Sequence, residues 1–253
     1  MNGFDGKRVW LTGASSGIGA ATARALAQAG ARVAISARTA ASLQQLIAEL
    51  PGAGHLALPL DIADAAAVEV AMQRLLSEWG GIDLAILAAG TYRPMRGFEL
   101  DLGAARSMIE TNLIGTLNCL AAIVPPMLQA GAGHIAIVAS VAGYRGLPKA
   151  AIYGPTKAAL INLAESLRLD LGPRAIKVQI VNPGFVKTPL TNQNDFKMPA
   201  LISPEQAAAA ILRGLASDRF EIHFPKRFTR VLKLLRLLPY GLYFPLIRRA
   251  TGL

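Results

Sequence analysis

The chain has 253 residues, of which 53% are hydrophobic and 17% charged, enough to bury the core of one α/β domain. Its single cysteine, Cys119, excludes an internal disulfide framework and falls in an apolar helical run typical of a core. The net charge of +10 is concentrated in residues 225–253, which carry seven basic residues and no acidic one and leave +3 for the rest. This distribution, with no recognisable binding module in the basic segment, argues against a nucleic-acid-binding protein.

Short apolar runs alternate along the chain with longer Ala-rich amphipathic stretches. Strand followed by helix, repeated, is typical of a parallel sheet with helices on both faces. We therefore predict one doubly wound α/β domain over residues 1–224, followed by a basic apolar extension over residues 225–253. The predicted strands are 8–12, 32–36, 55–60, 83–87, 134–139, 177–181 and 220–224. The predicted helices are 17–29, 40–50, 64–78, 103–130, 151–171 and 204–216.

The first predicted strand runs directly into a glycine-rich turn, TGASSGIG at residues 12–19. Glycines at such a turn let a phosphate group approach the backbone amides at the positive end of the following helix. The spacing G-x-x-x-G-x-G differs from the commoner G-x-G-x-x-G, and an ordinary turn is the alternative. The position of the turn on the first βα unit favours a dinucleotide site.

Four polar residues on three later elements form a candidate catalytic set. Ser140 ends a buried-type strand at its carboxyl end, where open α/β sheets bind ligands. Tyr153 and Lys157 are four residues apart and would share one face of a helix, although a solvated face would show the same spacing. Asn112 lies in a further helical stretch, where a polar residue at a bend is the alternative. If all four meet at one sheet edge, they form a catalytic constellation.

The ordered combination of these motifs resembles the short-chain dehydrogenase/reductase family over residues 5–224. The resemblance implies a twisted parallel sheet of about seven strands that binds a nicotinamide dinucleotide. It also implies a long helix that begins near Tyr153. Pro155 then lies in the first helical turn, where its missing N–H has no helical partner in any case. The matching segments are TGASSGIG at 12–19, Asn112, Ser140, YGPTK at 153–157 and NPGFVKT at 182–188.

The same resemblance implies a role for each residue of the set. Tyr153 would act as general acid in carbonyl reduction and as general base in alcohol oxidation. Lys157, with the positive nicotinamide ring, would favour the ionised phenol and would bond the nicotinamide ribose. Ser140 would donate a hydrogen bond to the substrate oxygen. Asn112 would hold a water molecule that links Lys157 to solvent.

We expect the cofactor to be NADP(H), with NAD(H) the less favoured alternative. NAD-selective relatives place an acidic residue at the end of the second strand, where this chain has Ala37, and Arg38 follows with a guanidinium suited to a 2′-phosphate. Against this, Arg38 is equally readable as a surface cation, and Ser16 lacks the basic side chain of many NADP-type relatives. The expected cofactor-binding residues are Gly13, Ser15, Ser16, Gly17, Ile18, Gly19, Arg38, Asp61, Ile62, Ala89, Gly90, Tyr153, Lys157, Pro183, Gly184, Val186 and Thr188.

These features predict an NADP(H)-dependent oxidoreductase that acts on a carbonyl or secondary alcohol. The alternative is a cofactor-binding but catalytically silent regulatory or scaffold protein on the same fold. His55, His134 and His223 show no metal-binding spacing, and we expect no metal site. We expect a cytoplasmic protein without a secretory signal. It should be a homodimer or homotetramer that uses the helices at 103–130 and 151–171.

The extension at 225–253 supports two interpretations. Wound as a helix, its first turns place the cations on one half and apolar residues on the other, which fits a helix lying in a membrane interface. The uncharged run at 237–247 is too short to span a bilayer, and Pro239 and Pro245 are expected to break it. The alternative is that the apolar face folds back as a lid over the substrate cleft or packs in a dimer.

Overall fold

The seven strands form one parallel sheet in the order β3-β2-β1-β4-β5-β6-β7. The structure is a computed structural model and describes residues 3–252. After β3 the chain returns to the centre of the sheet and pairs β4 with β1, which creates a crevice at the carboxyl ends of these two strands. The strands are β1 (Arg8–Thr12), β2 (Arg32–Ser36), β3 (Leu56–Ala57), β4 (Leu84–Leu87), β5 (Gly133–Val138), β6 (Ile176–Pro183) and β7 (Glu221–Phe224).

Helices cover both faces of the sheet. Because side chains alternate along a strand, β1 sends Val9 and Leu11 into one apolar core and Trp10 into the other. The first core includes residues of α1, α2 and α7, and the second includes residues of α3, α5 and α6. The helices are α1 (Gly17–Gln28), α2 (Ala40–Glu49), α3 (Ala65–Trp79), α4 (Leu102–Ile109), α5 (Gly115–Ala130), α6 (Tyr153–Leu171), α7 (Pro204–Leu215), α8 (Lys226–Arg236) and α9 (Tyr240–Thr251).

The predicted doubly wound fold is confirmed, but three predicted elements differ from the structure. The strand predicted at 55–60 shrinks to β3, although the amides of Leu58 and Leu60 still donate hydrogen bonds to the carbonyls of Ile35 and Ala37 beyond its end. The helix predicted at 103–130 is interrupted by a π-helical turn, Glu110–Ile114, between α4 and α5. Pro245 does not break the last apolar run, since it lies inside α9, while Pro239 directly precedes that helix.

The segment Leu102–Ala130 is, among the described residues, the helical stretch long and apolar enough to cross a membrane, with a mean hydropathy of 1.5. Its inner face fills the second core with Cys119, Ile123 and Met127, all almost completely buried. That packing is typical of the core helix of a globular domain.

The extension folds as α8 and α9, and both helices pack on the domain. Phe228 and Leu232 of α8 pack against the second core, and Tyr243 and Ile247 of α9 are buried. The inner apolar faces of the two helices therefore hold the extension beside the carboxyl edge of the sheet.

Candidate active site

The glycine-rich turn places backbone at the crevice between β1 and β4. Gly13 has a φ of +73°, and a Cβ there would lie 2.6 Å from the Cα of Ala89, so a larger residue cannot replace it without displacing β4. Ser16 precedes α1 and its side chain does not cap the helix. The amides of the first turn of α1 are thus directed at the crevice without a side-chain acceptor from Ser16, as an anion site requires.

A cavity of about 350 Å³ lies over this turn. It extends from the helix start to Arg38 at the end of β2 and to Asp61 and Ile62 after β3. Arg38 is exposed at its edge. The expected cofactor-binding residues that line this cavity are Gly13, Ser15, Ser16, Gly17, Ile18, Gly19, Arg38, Asp61, Ile62, Ala89, Gly90 and Thr188.

A second cavity, of about 110 Å³, adjoins the first, because Ile18, Gly90 and Thr188 line both. It reaches the carboxyl ends of β5 and β6. Every remaining expected cofactor-binding residue lines this second cavity, together with the expected catalytic serine: Ser140, Tyr153, Lys157, Pro183, Gly184 and Val186. Asn112 lines neither cavity.

The two adjoining cavities together accept an elongated molecule with phosphates near α1 and a reactive end near Tyr153. The amides at the start of α1 suit a pyrophosphate, and the buried lysine suits ribose hydroxyls. These residues fit a nicotinamide dinucleotide.

Tyr153 is the first residue of α6, and Pro155 lies in the first turn, where it costs the helix no hydrogen bond. Burial raises the pKa of Tyr153 to about 12, and a hydrogen bond from Ser140 offsets part of this rise. Desolvation is the largest cause of this rise in the protein itself. The stabilisation of the ionised phenol expected from Lys157 and the nicotinamide ring stays a prediction.

Lys157 is buried one turn further along α6. Its Nζ donates a hydrogen bond of 3.0 Å to the carbonyl oxygen of Val138 and lies 5.6 Å from the ring centroid of Tyr153. Burial lowers its pKa to about 8. The lysine is therefore close enough to Tyr153 to influence it and is poised to change charge near neutral pH.

Asn112 lies within the π-helical turn, completely buried. Its Oδ1 accepts a 2.7 Å hydrogen bond from the amide of Thr91, and its Nδ2 donates to the Thr91 carbonyl at 3.0 Å and to Thr156 Oγ1 at 3.1 Å. The side chain thus ties the segment after β4 to the first turns of α6. Its direct partners are these two threonines, and the relay role expected for Asn112 stays a prediction.

Two tyrosines beside the site were missed by the sequence analysis. The ring of Tyr92 packs edge-on against Tyr153 at 4.9 Å between centroids, and its hydroxyl donates to Asn194 Oδ1 at 2.9 Å. Tyr144 is buried and donates a hydrogen bond to Glu221 Oε1. Their one sequence signal is position, since each follows the carboxyl end of a central strand within a few residues.

Glu221 is the centre of a second polar group near the site. Besides Tyr144, it accepts a 2.8 Å hydrogen bond from Asn182 Nδ2 and an ion pair from Lys233 of α8. Burial would raise the pKa of Glu221, but the hydrogen bonds from Lys233, Tyr144 and Asn182 outweigh it and hold this pKa below its usual value. The carboxylate therefore joins β6, the loop after β5 and α8.

The segment LAAG at residues 87–90 leads from the last residue of β4 directly into the crevice. The hydroxyl of Thr12 accepts hydrogen bonds from the amides of Ala88 at 3.2 Å and Ala89 at 3.3 Å. This hydroxyl links the ends of β1 and β4 at the crevice.

Comparison with known proteins agrees with this geometry. An uncharacterized oxidoreductase of Myxococcus xanthus is 36% identical over 241 residues, which cover 94% of this chain and 95% of that protein. The structure of a short chain dehydrogenase from Burkholderia cenocepacia in complex with NADP is similar, with a TM-score of 0.83, 27% identity and coverage of 96% and 98% of the two chains. A short-chain dehydrogenase from Streptomyces avermitilis matches with a TM-score of 0.80 and 26% identity, over 90% and 92% of the two chains.

A family model for short chain dehydrogenases matches residues 7–198, which contain the glycine-rich turn and the whole expected catalytic set. The fold, the cavities and these similarities lead to one conclusion. The chain belongs to the short-chain dehydrogenase family and is an oxidoreductase.

Proposed function

We propose that the protein is an NADP(H)-dependent reductase of a lipophilic carbonyl compound. The observation that carries this proposal is the junction of the two cavities. Ser140, Tyr153 and Lys157 line one end, and the glycine-rich turn with Arg38 lines the other. A catalytically silent protein on the same fold has no need for this set at the end of a cofactor-sized cavity.

The chain's own residues would handle the proton and the developing charge. Bound NADPH supplies the hydride. Tyr153 would donate its phenolic proton to the carbonyl oxygen, and Ser140 would donate a hydrogen bond to the same oxygen as negative charge builds there. Lys157 would bond the nicotinamide ribose and stabilise the phenolate that remains on Tyr153.

We propose carbonyl reduction as the reaction, because it requires Tyr153 to hold its proton beforehand. With a pKa of about 12, the phenol carries its proton throughout the neutral range. A general acid must hold its proton before the reaction, whereas a base must have lost it. Tyr153 would serve as the base in alcohol oxidation only if its ionised form were stabilised and its pKa lowered.

The preference for NADP(H) rests on Arg38 at the edge of the larger cavity, next to the uncharged Ala37. We expect kcat/KM to be higher for NADPH than for NADH. Replacing Arg38→Gln should lower kcat/KM for NADPH by on the order of 10- to 100-fold, because a hydrogen bond to a charged group contributes about 1.5–3 kcal/mol. The NADH value should stay nearly constant, as should both values in the exposed control Arg106→Gln. A clear NADH preference of the wild type would contradict the assignment.

The lipophilic substrate is proposed from a cluster of aromatic rings next to Gly184, which lines the second cavity. Phe185 lies 5.6 Å from Phe228 and 5.8 Å from Phe196, measured between ring centroids. A series of methyl ketones of increasing chain length tests this point. We expect kcat/KM to rise with each added methylene, because burial of one methylene contributes about 0.8 kcal/mol. A flat series would contradict the lipophilic class, and absence of turnover with every ketone and both cofactors would favour the silent alternative.

A further inference from the structure

Several large apolar side chains of α8 and α9 are exposed to solvent. Leu237, at the end of α8, is 79% exposed, and Tyr240, at the start of α9, is 69% exposed. Contiguous exposed apolar patches on soluble domains usually mark an interaction site. The group, called here the apolar surface, consists of Val231, Leu234, Leu237, Tyr240, Leu242, Phe244 and Leu246.

Cations border the apolar surface on both helices. Burial and the nearby cations Arg219 and Arg230 lower the pKa of Lys226, which reflects the crowding of positive charge at the start of α8. The acidic group at this end, Glu221, pairs with Lys233. The chain from residue 225 onward contains no acidic residue. The exposed bordering cations are Lys226, Arg227, Arg230, Arg236, Arg248 and Arg249.

The apolar surface is distinct from the faces that attach the two helices to the domain. Phe228 and Leu232 point into the core side of α8, and Tyr243 and Ile247 do the same in α9. In α8 those contacts use the apolar face that the sequence analysis assigned to either the membrane or the lid, and the structure packs it on the domain. The side chains of the apolar surface take no part in this packing. The attachment of α8 and α9 to the domain therefore does not explain why these positions are apolar.

We propose that the apolar surface and its bordering cations lie on an anionic lipid bilayer. The apolar side chains would enter the boundary between headgroups and acyl chains, and the cations would contact lipid phosphates. A second copy of the chain fits the same surface poorly, because it would bring two sets of cations together without acidic partners from residues 225–253. With 11 and 12 residues, α8 and α9 are too short to span a bilayer.

This contact would place the substrate cleft next to the membrane. A Cβ at Gly184 would lie 3.0 Å from Cδ1 of Phe228, so the start of α8 packs directly against a residue that lines the second cavity. Arg145, in the loop after β5, donates hydrogen bonds to the carbonyls of Leu235 at 3.0 Å and Leu238 at 2.6 Å. A lipid-soluble molecule could then enter the cleft from the bilayer. Binding itself needs no turnover and stands apart from the proposed reaction.

Flotation of the full chain with vesicles tests the charge component. We expect the protein to float with phosphatidylcholine vesicles containing phosphatidylglycerol and much less with phosphatidylcholine alone. The variant Lys226→Gln/Arg227→Gln/Arg230→Gln should lower partitioning on the order of 100-fold, at about 1 kcal/mol per cation. The control Arg106→Gln/Arg174→Gln/Arg213→Gln removes three exposed charges elsewhere and should float like the wild type. An equal loss of flotation in both triple variants would show that the cations of α8 do not form the binding site and would overturn the proposal.

A second pair of variants tests the apolar component. Leu237→Ser/Leu242→Ser/Phe244→Ser should abolish flotation, whereas Val70→Ser/Phe98→Ser/Leu102→Ser, with similar exposed fractions of 70%, 79% and 68%, should not. Circular dichroism of each variant confirms that it is folded. No flotation of the wild type would overturn the proposal. Sedimentation without lipid gives a further test. If Leu237→Ser/Leu242→Ser/Phe244→Ser forms a smaller assembly than the wild type, the proposal is also overturned, because the apolar surface would then join two chains.

Discussion

The proton on Tyr153 is the feature on which the proposed chemistry depends most directly. Replacing Tyr153→Phe removes one hydroxyl from a site where burial already favours the neutral side chain. We expect kcat to fall at least about 100-fold, since a general acid contributes about 10²- to 10⁴-fold. NADPH affinity, measured by nucleotide fluorescence, should change little because the expected ribose contact, Lys157, remains. A variant with near wild-type kcat would show that another group delivers the proton.

Lys157 should give the enzyme a pH dependence in the mildly alkaline range. Burial lowers its pKa to about 8, so the ammonium form exists below that pH and is lost above it. The kcat/KM for NADPH reports ionisations of the free enzyme. We therefore expect this parameter to be level below pH 7 and to fall as the pH rises through about 8. A profile that stays level to pH 9.5, with the protein still folded, would contradict this role of the lysine charge.

At the scale of elements, one arginine joins the loop after β5 to the turn between α8 and α9. Nη1 of Arg145 donates to carbonyls at the end of α8, and its guanidinium lies 3.9 Å from the ring centroid of Tyr243 and 4.7 Å from that of Tyr240. The hydroxyl of Tyr243 in turn donates to the Gly146 carbonyl at 2.6 Å. Carbonyls at a helix end are otherwise unsatisfied, so the cation both caps α8 and orients α9.

The variant Arg145→Met should loosen this connection without unfolding the domain. Hydrogen bonds to a charged group contribute about 1.5–3 kcal/mol, so we expect amide hydrogen exchange in residues 237–247 to quicken on the order of tenfold. Exchange in β1 and β4 should not change. Arg174→Met, at an exposed arginine that follows the end of α6, is the matched control. Unchanged exchange in 237–247 would mean that the inner apolar contacts alone hold the extension.

At the scale of the whole molecule, we propose that α5 and α6 form a two-fold interface. The helical layer exposes large apolar side chains, among them Leu117 at 39% and Leu169 at 76%. The variant Leu117→Glu/Leu169→Glu places four carboxylates in such an interface, and we expect sedimentation at micromolar concentration to shift from a dimer or tetramer to a 26.6 kDa monomer. Val70→Glu on α3 is the control. A wild-type chain that sediments as a monomer would contradict the interface.

The sequence determined the sheet and the place of the crevice, because both follow from local patterns. Short continuous apolar runs such as RVWLT and HIAIVA are typical of strands buried on both faces, and the glycine-rich turn marks where the first of them meets its helix. The family resemblance implied that α6 starts near Tyr153, and Pro155 lies in its first turn, where it costs no helical hydrogen bond. Each of these signals is contained in a short stretch of the sequence.

Only the tertiary structure decided what depends on residues distant in the chain. Tyr92 packs against Tyr153, and Glu221 accepts a hydrogen bond from Tyr144 and forms an ion pair with Lys233. These residues are far apart in the sequence, so no local spacing predicts the contacts. The direction of the Tyr153 pKa shift also required the fold, because desolvation depends on everything packed around the phenol. In the same way, the sequence showed that the first turns of the extension are amphipathic. The packing of α8 and α9 decided which apolar side chains face the core and which remain exposed.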